Sequence, residues 1–179
     1  MDLIEKAFLL ALEAHRGQLR KDNPIPYIVH PVSVSILLAK YGFSDEVIAA
    51  ALVHDVAEDT DVSLEQLSAA LGKAVVELVA PITHDASLSW EDKKRAYIES
   101  VRFASDEAKA IATADKIANA ESLLEAYKQQ GQKVWEYFNA GRDKKIWFEQ
   151  SMLQMLQETW QHPLVEAYAS YVARLEQLV

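Results

Sequence analysis

The chain has 179 residues, half of them hydrophobic and a quarter charged, with a formal net charge of −9. This length allows one domain with a real core, and the acidic balance argues against a nucleic-acid binder, which would normally carry a basic face. No apolar run approaches the ~18 residues that span a membrane, and the N-terminal residues do not predict a signal peptide. The chain contains no cysteine, which excludes disulfides and thiolate metal sites and makes a reducing cytoplasm the expected location.

Helical spacing of apolar residues dominates the chain, and Pro, Gly and Ser indicate the helix boundaries. In the N-terminal half, the predicted helices cover 2–15, 31–42 after a Pro-rich loop at 21–31, a segment beginning after Ser44, and a short helix started by the capping-box sequence SLEQ (63–66) and ended by Gly72. Further along they cover 73–83, a segment starting at SWED (89–92), 106–129, 142–160 and 163–178. No strand or repeat is indicated, so the sequence predicts an all-α fold with a single domain over residues 1–179.

The segment LVHDVAEDT (52–60) places four ionisable residues among Ala, Val and Leu. If the segment is helical, His54 and Glu58 share one face, and Asp55 and Asp59 share the neighbouring face. For the acids of EDT alone, a solvated helix end is the simpler interpretation. For His54 and Asp55 that interpretation is weaker, because they adjoin the apolar run AAALV, which indicates a core-facing flank.

Two further residues are candidate partners of this segment. His30 ends PYIVH before a proline, which favours a loop or a helix start, where a histidine is usually structural or solvated. Asp115 lies in AIATADKIANA among small residues, with Asn119 one helical turn later. A buried Asp needs a counter-charge or a metal, and the alternative is a surface Asp paired with Lys116 or Lys109.

Together these positions provide two imidazoles and two carboxylates, a mixed nitrogen and oxygen set without thiolate. Such a set suits Mn²⁺, Fe²⁺, Zn²⁺ or Co²⁺, and the carboxylate share makes Mn²⁺ the first choice. A metal of this kind lowers the pKa of a bound water and polarises a phosphoryl oxygen. Glu58 and Asp59 would then position the water or transfer its proton. The predicted ligand set is His30, His54, Asp55 and Asp115.

Six segments resemble, in the same order, those of HD-superfamily metal-dependent phosphohydrolases, and in detail those of small alarmone hydrolases, the single-domain relatives of the RelA/SpoT hydrolase domain. These segments are AHRGQLRK (14–21), PYIVHP (26–31), LVHDVAEDTD (52–61), LGKAVVELVAPIT (71–83), KKRAYIE (93–99) and EAKAIATADKIAN (107–119). The resemblance covers about residues 4–160 and implies an HD-type helical bundle.

The resemblance also implies an activity and a set of residue roles. Enzymes of this family use Mn²⁺ to remove the 3′-pyrophosphate from guanosine tetra- or pentaphosphate. The family's metal ligands correspond to the four residues above, and its catalytic acidic pair corresponds to Glu58 and Asp59. Its nucleotide-binding residues correspond to Arg20, Lys21 and Asn119.

Two clusters of basic residues could either bind phosphate groups or simply face solvent. Arg20 and Lys21 lie in HRGQLRK, which holds three positive charges and no acid, although a solvated helix end would look the same. Lys93, Lys94 and Arg95 form a second cluster with a weaker claim on phosphates, for which a solvated face is the favoured interpretation.

The sequence departs from the family pattern near the proposed nucleotide pocket. Ala118 stands where a His or Tyr is frequent, Glu121 stands where an Arg is usual, and His84 stands where an acid is common. The substrate could therefore be another nucleotide or a phosphorylated nicotinamide cofactor. A non-catalytic nucleotide sensor and a purely structural helical protein are the alternatives of a different class, and the oligomeric state stays open.

Overall fold

The structure, a computed structural model, describes residues 1–20, 24–83, 88–138 and 140–179. Within these ranges the chain forms ten α-helices and no strand beyond an isolated bridge between Leu19 and Pro26. The helices are α1 (Leu3–Ala14), α2 (Val29–Lys40), α3 (Asp45–Val53), α4 (Val56–Asp59), α5 (Leu64–Leu71), α6 (Lys73–Val79), α7 (Trp90–Arg102), α8 (Asp106–Gln130), α9 (Gly141–Thr159) and α10 (Pro163–Glu176). Short 3₁₀ helices occur at Ala80–Ile82 and Gly131–Tyr137. The predicted all-α class is confirmed.

Local sequence signals set several helix boundaries. The Ser63 hydroxyl accepts a hydrogen bond from the Gln66 N–H, and the Gln66 side chain accepts one from the Ser63 N–H, which is the capping box predicted from SLEQ. Gly72 separates α5 from α6 with a φ of 94°, a conformation that favours glycine. The helix predicted over 73–83 changes to a 3₁₀ turn at its end, because Pro81 has no N–H to continue the α-helical pattern.

The Pro-rich loop ends earlier than the sequence predicts, and α2 begins at Val29. His30 and Pro31 therefore lie in its first turn. Proline is tolerated there because the first N–H groups of an α-helix have no intrahelical partner. The His30 N–H bonds to the Tyr27 carbonyl at 2.9 Å. Of the two expectations for His30, a loop or a helix start, the structure has the helix start.

The helix predicted to run through 52–60 is interrupted. α3 ends at Val53, and α4 begins at Val56. His54 and Asp55 form the turn between them. The ring Nδ1 of His54 lies 2.7 Å from the Ala51 carbonyl oxygen, which is the acceptor that the Asp55 N–H would use in a continuous helix. The imidazole thus competes with the helical hydrogen bond at the point where the helix breaks.

The core is arranged around α8, whose residues 108–117 are all buried. Many of these residues are alanines, which allow α2, α3 and α10 to pack closely against α8. α3 also contacts α1, α2 and α6, and its residues 49–53 are buried. Because α2, α3 and α8 meet, polar side chains at their junction share one buried region. None of the described helices is both long enough and apolar enough to cross a bilayer.

Candidate metal centre and cavity

Four polar side chains meet where α2, α3 and α8 adjoin. Nε2 of His30 lies 3.0 Å from Oδ1 of Asp115 and 3.5 Å from Oδ2 of Asp55. Nε2 of His54 lies 3.2 Å from Oδ1 of Asp55 and 3.7 Å from Oδ1 of Asp115. The structure therefore brings together all four residues that the sequence indicates as metal ligands.

The donor atoms of this cluster fit a metal ion. One ligand atom from each of His30, His54 and Asp115 lies within 4.8 Å of the others, and all three residues are buried. Nε2 of His54 is buried, and although carboxylate oxygens of Asp55 and Asp115 lie 3.2 and 3.7 Å away, neither has the geometry of a good hydrogen bond. A buried polar atom without a partner is costly, and a metal ion between the two imidazoles and the carboxylates would satisfy it.

The electrostatics of the cluster favour a cation at the same place. Burial alone would lower the pKa of His54, but the Asp55 and Asp115 carboxylates outweigh it and raise this pKa to about 9. Burial would raise the pKa of Asp115, but Lys116 and the two histidines hold it well below its usual range. The carboxylates therefore create a field that stabilises positive charge, whether a proton or a divalent ion.

Asp115 is fixed by neighbours on its own helix. Nζ of Lys116 lies 2.7 Å from Oδ2 of Asp115, and Nδ2 of Asn119 donates a 2.6 Å hydrogen bond to Oδ1. Asp115 does pair with Lys116, as expected for a surface Asp. However, the Asp115 side chain is only 11% exposed and the Lys116 side chain only 7%. The surface interpretation is therefore wrong, and Oδ1 of Asp115 remains directed toward His30.

Tyr27 links the buried cluster to the acids of α4, a connection that the sequence analysis missed. Its hydroxyl lies 2.7 Å from Oδ2 of Asp55 and 3.0 Å from Oδ2 of Asp59. Burial and then the two carboxylates raise the pKa of Tyr27 well above its usual value, so the phenol keeps its proton. The available signal was its position three residues before His30, in the turn that leads into α2.

Glu58 and Asp59 line the same cavity as the four clustered residues. Both are exposed, in contrast to the buried histidines. Partial desolvation of the Asp59 carboxyl where it faces the cavity, and then the nearby Asp55 carboxylate, raise the pKa of Asp59. The backbone carbonyl of Asp59 accepts a 3.0 Å hydrogen bond from the side chain of Gln18. The two acids thus occupy the solvent-accessible side of the cavity.

The candidate nucleotide-binding residues have different outcomes. Nη2 of Arg20 donates a 3.1 Å hydrogen bond to Oδ1 of Asn119, and its guanidinium lies 5.8 Å from the centre of the Tyr27 ring. Arg20 and Asn119 therefore adjoin the cluster. Lys21 lies outside the described residues.

The family departures also differ in their positions. Ala118 packs against the hydrophobic core, and Glu121 is exposed. Neither residue is among those that line the cavity. His84 lies outside the described residues.

A cavity of about 320 Å³ opens from the cluster. Besides the predicted residues, its lining includes Lys94, for which the sequence favoured a solvated face, and five residues that the sequence did not connect with a site: Tyr27, Ile82, Tyr97, Ala112 and Lys116. The expectation of a solvated face at 93–95 is wrong for Lys94, which is half-buried in this lining, whereas Arg95 lies outside it and pairs with Glu91 at 2.9 Å. The helical periodicity of α7, with Lys94 and the buried Tyr97 three residues apart, was the available signal.

Sequence comparison places this arrangement in a known family. The model for the HD domain matches residues 7–146. The guanosine-3′,5′-bis(diphosphate) 3′-pyrophosphohydrolase MESH1 of Danio rerio is 39% identical over 133 residues, which are 72% of this chain and 74% of the relative. The bifunctional (p)ppGpp synthase/hydrolase SpoT of Escherichia coli K12 is 40% identical over 99 residues, which are 55% of this chain and 14% of SpoT.

Solved structures agree with the sequence relationship. A metazoan ortholog of SpoT, reported to hydrolyse ppGpp, superposes with a TM-score of 0.82 at 30% identity, over 100% of this chain and 98% of the other. The crystal structure of lmo0812 from Listeria monocytogenes EGD-e superposes with a TM-score of 0.76 at 33% identity, over 86% of this chain and 99% of the other. The chain therefore belongs to the HD-domain family and, within it, to the small alarmone hydrolases, and it is a hydrolase of that family.

Proposed function

We propose that this protein is a Mn²⁺-dependent hydrolase that removes the 3′-pyrophosphate from guanosine tetra- or pentaphosphate. The observation that carries the proposal is the buried meeting of His30, His54 and Asp115, with ligand atoms within 4.8 Å of one another, at a cavity also lined by Asp55. The names of the MESH1 relatives support the choice of substrate. A small nucleotide is the expected partner.

His30, His54, Asp55 and Asp115 would hold the metal. When bound, Mn²⁺ would lower the pKa of a coordinated water and polarise a phosphoryl oxygen. The chain itself prepares the ligands. The Ala51 carbonyl orients the His54 ring so that Nε2 faces the carboxylates, and Lys116 and Asn119 hold Asp115 in position.

Glu58 and Asp59 would carry out the proton transfers. Hydrolysis forms a bond from water oxygen to the phosphorus attached at the ribose 3′ position and breaks the bond from that phosphorus to the 3′ oxygen. The water loses a proton, and the departing 3′ oxygen gains one. One carboxylate of the pair on the open side of the cavity can accept the first proton, and a protonated carboxyl of the pair can supply the second.

Arg20, Lys21 and Asn119 would bind the nucleotide. Arg20 is held by Asn119 beside the cluster, so its guanidinium can contact an anionic group close to the reacting phosphorus. Since the chain is acidic overall, a local cation of this kind is needed to attract a polyphosphorylated substrate.

A turnover assay tests the proposal. The purified protein is loaded with Mn²⁺ and incubated with guanosine tetraphosphate, guanosine pentaphosphate, a phosphorylated nicotinamide cofactor and ordinary nucleoside triphosphates. We expect pyrophosphate release from the first two, abolished by a chelator and by His54→Ala. Release of inorganic phosphate from the nicotinamide cofactor alone would support the other substrate. Nucleotide binding without any product would support a sensor and contradict hydrolysis.

A further inference from the structure

A cationic part of the cavity lining is not explained by the metal cluster or by the nucleotide-binding residues above. Lys94 and Tyr97 come from α7, and Lys116 comes from α8; all three line the cavity that holds His30, His54, Asp55 and Asp115. The Lys116 charge is already compensated by Asp115 at 2.7 Å. Lys94 therefore adds a second ammonium group to a cavity that is otherwise rich in acids.

The position of the Lys94 ammonium is set by buried aromatic rings. Nζ of Lys94 lies 4.6 Å from the centre of the Phe148 ring on α9, and Nζ of Lys116 lies 5.4 Å from the same ring and 4.9 Å from that of Tyr97. Phe148 is 2% exposed and Tyr97 is 4% exposed. Cations within about 6 Å of a ring face are held electrostatically. The amine is thus directed by the packing of α7 on α9.

Partial burial of the Lys94 ammonium disfavours its charged form, although Glu58 and Asp115 act in the opposite direction. Burial first, and then the ammonium groups of Lys116 and Lys145, lower the pKa of Lys94 to about 7. Positive charges brought together in a partly desolvated region disfavour one another. Groups perturbed in this way, in a cleft beside a candidate reaction centre, are typical of binding sites.

We propose that Lys94 forms an anion subsite that binds the diphosphate group removed from the substrate, which leaves as inorganic pyrophosphate. The inference rests on the proposed function and adds to it the contact that holds the leaving diphosphate. Glu58 and Asp115, whose charges act on Lys94, line the same cavity, so the amine faces the space beside the candidate metal ligands. Arg20 contacts a different side chain, Asn119, and serves the nucleotide.

The chemistry of lysine suits such a subsite. Lys94 supplies a cation from α7 inside the cavity itself. A lysine there acts as a point charge that several phosphate oxygens can approach, whereas the metal ligands present only acceptor atoms.

Calorimetric titration of inorganic pyrophosphate into the manganese-loaded protein tests the subsite. Lys94→Met keeps an unbranched side chain for packing on Phe148 and removes the charge. Lys93→Met, one residue away and outside the cavity lining, removes the same charge and is the matched control. We expect pyrophosphate affinity to fall about tenfold or more in Lys94→Met and to stay within about twofold in Lys93→Met, since a charge-assisted phosphate contact is lost only in the first. Metal content is measured before and after, because pyrophosphate can also bind free metal.

Two further measurements make the result decisive. Lys94→Arg should restore most of the pyrophosphate affinity, because the charge returns. Guanosine 5′-diphosphate, which lacks the transferred group, should bind Lys94→Met and the wild type equally. The subsite is overturned if Lys94→Met binds pyrophosphate as tightly as the wild type does. It is also overturned if Lys93→Met loses as much pyrophosphate affinity as Lys94→Met, or if Lys94→Met loses as much affinity for guanosine 5′-diphosphate as for pyrophosphate. The titration needs no turnover, so a protein that binds pyrophosphate through Lys94 but does not hydrolyse guanosine tetraphosphate would contradict only the proposed function.

Discussion

Nδ2 of Asn119 donates a 2.6 Å hydrogen bond to Oδ1 of Asp115, one turn earlier on α8. The carbonyl oxygen of the same amide accepts a 3.1 Å hydrogen bond from Arg20. One side chain therefore connects a candidate metal ligand with a candidate nucleotide-binding cation. A change at Asn119 should affect both metal affinity and substrate binding, which separates it from a residue that serves only one of them.

Asn119→Ala is the first test of this connection. Removing a residue that orients a metal ligand typically lowers metal affinity or activity about 10–100-fold. We expect Mn²⁺ affinity to fall within that range and KM for the guanosine substrate to rise. The control is Glu121→Ala, two residues further on the same helix, whose side chain is exposed and does not line the cavity. Unchanged metal affinity in Asn119→Ala would show that Lys116 alone holds Asp115.

Alanine variants of the proposed metal ligands and of the proposed catalytic acids should lose different properties. His54→Ala and Asp55→Ala should lose bound metal, because each removes a side chain of the buried cluster. Glu58→Ala and Asp59→Ala should keep metal and nucleotide but turn over about 10²–10⁴-fold more slowly, the usual cost of losing acid–base assistance. Metal stoichiometry and kcat are measured for all four variants.

An exposed acid close in sequence provides the control for these four variants. Asp61→Ala removes a carboxylate that does not line the cavity of the metal cluster. Its metal content and kcat should match the wild type. If Glu58→Ala and Asp59→Ala also match the wild type, these acids are only a solvated helix end, and the proposed proton transfers are wrong.

Arg20→Ala tests the nucleotide-binding side of the site. The variant removes a cation beside Asn119, so kcat/KM for a polyphosphorylated nucleotide should fall about tenfold or more, as expected for one charge-assisted phosphate contact. Metal content should stay unchanged. Arg16→Ala is the matched control, since Arg16 is an exposed arginine of the same segment paired with Glu13. Equal kinetics in both variants would favour the solvated helix end.

The sequence predicted the helices and the meeting of four polar side chains better than it predicted the rest of the cavity. His30, His54, Asp55 and Asp115 could be found because ionisable residues beside apolar runs demand a partner. The turn at His54 could not be predicted, because the hydrogen bond from its ring to the Ala51 carbonyl is a local competition that periodicity does not report.

The sequence also did not single out Lys94 among the three neighbouring cations as the one that lines the cavity. The run KKR is typical of a solvated face. Only the packing of α7 against α9 shows that the second of the three cations lies over Phe148 and lines the cavity. Such long-range contacts depend on how helices are placed, and a single helix pattern does not determine that placement.

Tyr27→Phe tests the hydroxyl that bonds both Asp55 and Asp59. The substitution keeps the ring, which stacks near His15 with centroids 4.7 Å apart, and removes only the donor. We expect kcat to fall about tenfold, because Asp59 loses the contact that fixes it relative to Asp55. Tyr41→Phe, on the exposed end of α2, is the control. A normal kcat in Tyr27→Phe would mean that the carboxylates are positioned without the hydroxyl.

The final prediction concerns the pH dependence of stability contributed by Lys94. Burial, Lys116 and Lys145 lower its pKa from 10.5 to about 7, while Glu58 and Asp115 act in the opposite direction. The unfolded chain therefore binds more protons at this residue between those two pH values, so this group makes stability rise with pH across that window. Below pH of about 7 the destabilising charge is fully present, as the linkage relation requires.

Lys94→Met removes that charge and should therefore raise Tm most strongly below neutral pH. The Tm difference between Lys94→Met and the wild type should shrink steadily as pH rises toward 10, because Lys94 of the wild type then loses its proton and no longer destabilises the folded state. Thermal unfolding of both proteins and of Lys93→Met is followed across pH 6–10 by circular dichroism, and the quantity compared is the difference in Tm. Lys93→Met should give a flat difference. A Tm difference for Lys94→Met that is constant or grows with pH would show that the Lys94 ammonium is not destabilised in its place over Phe148.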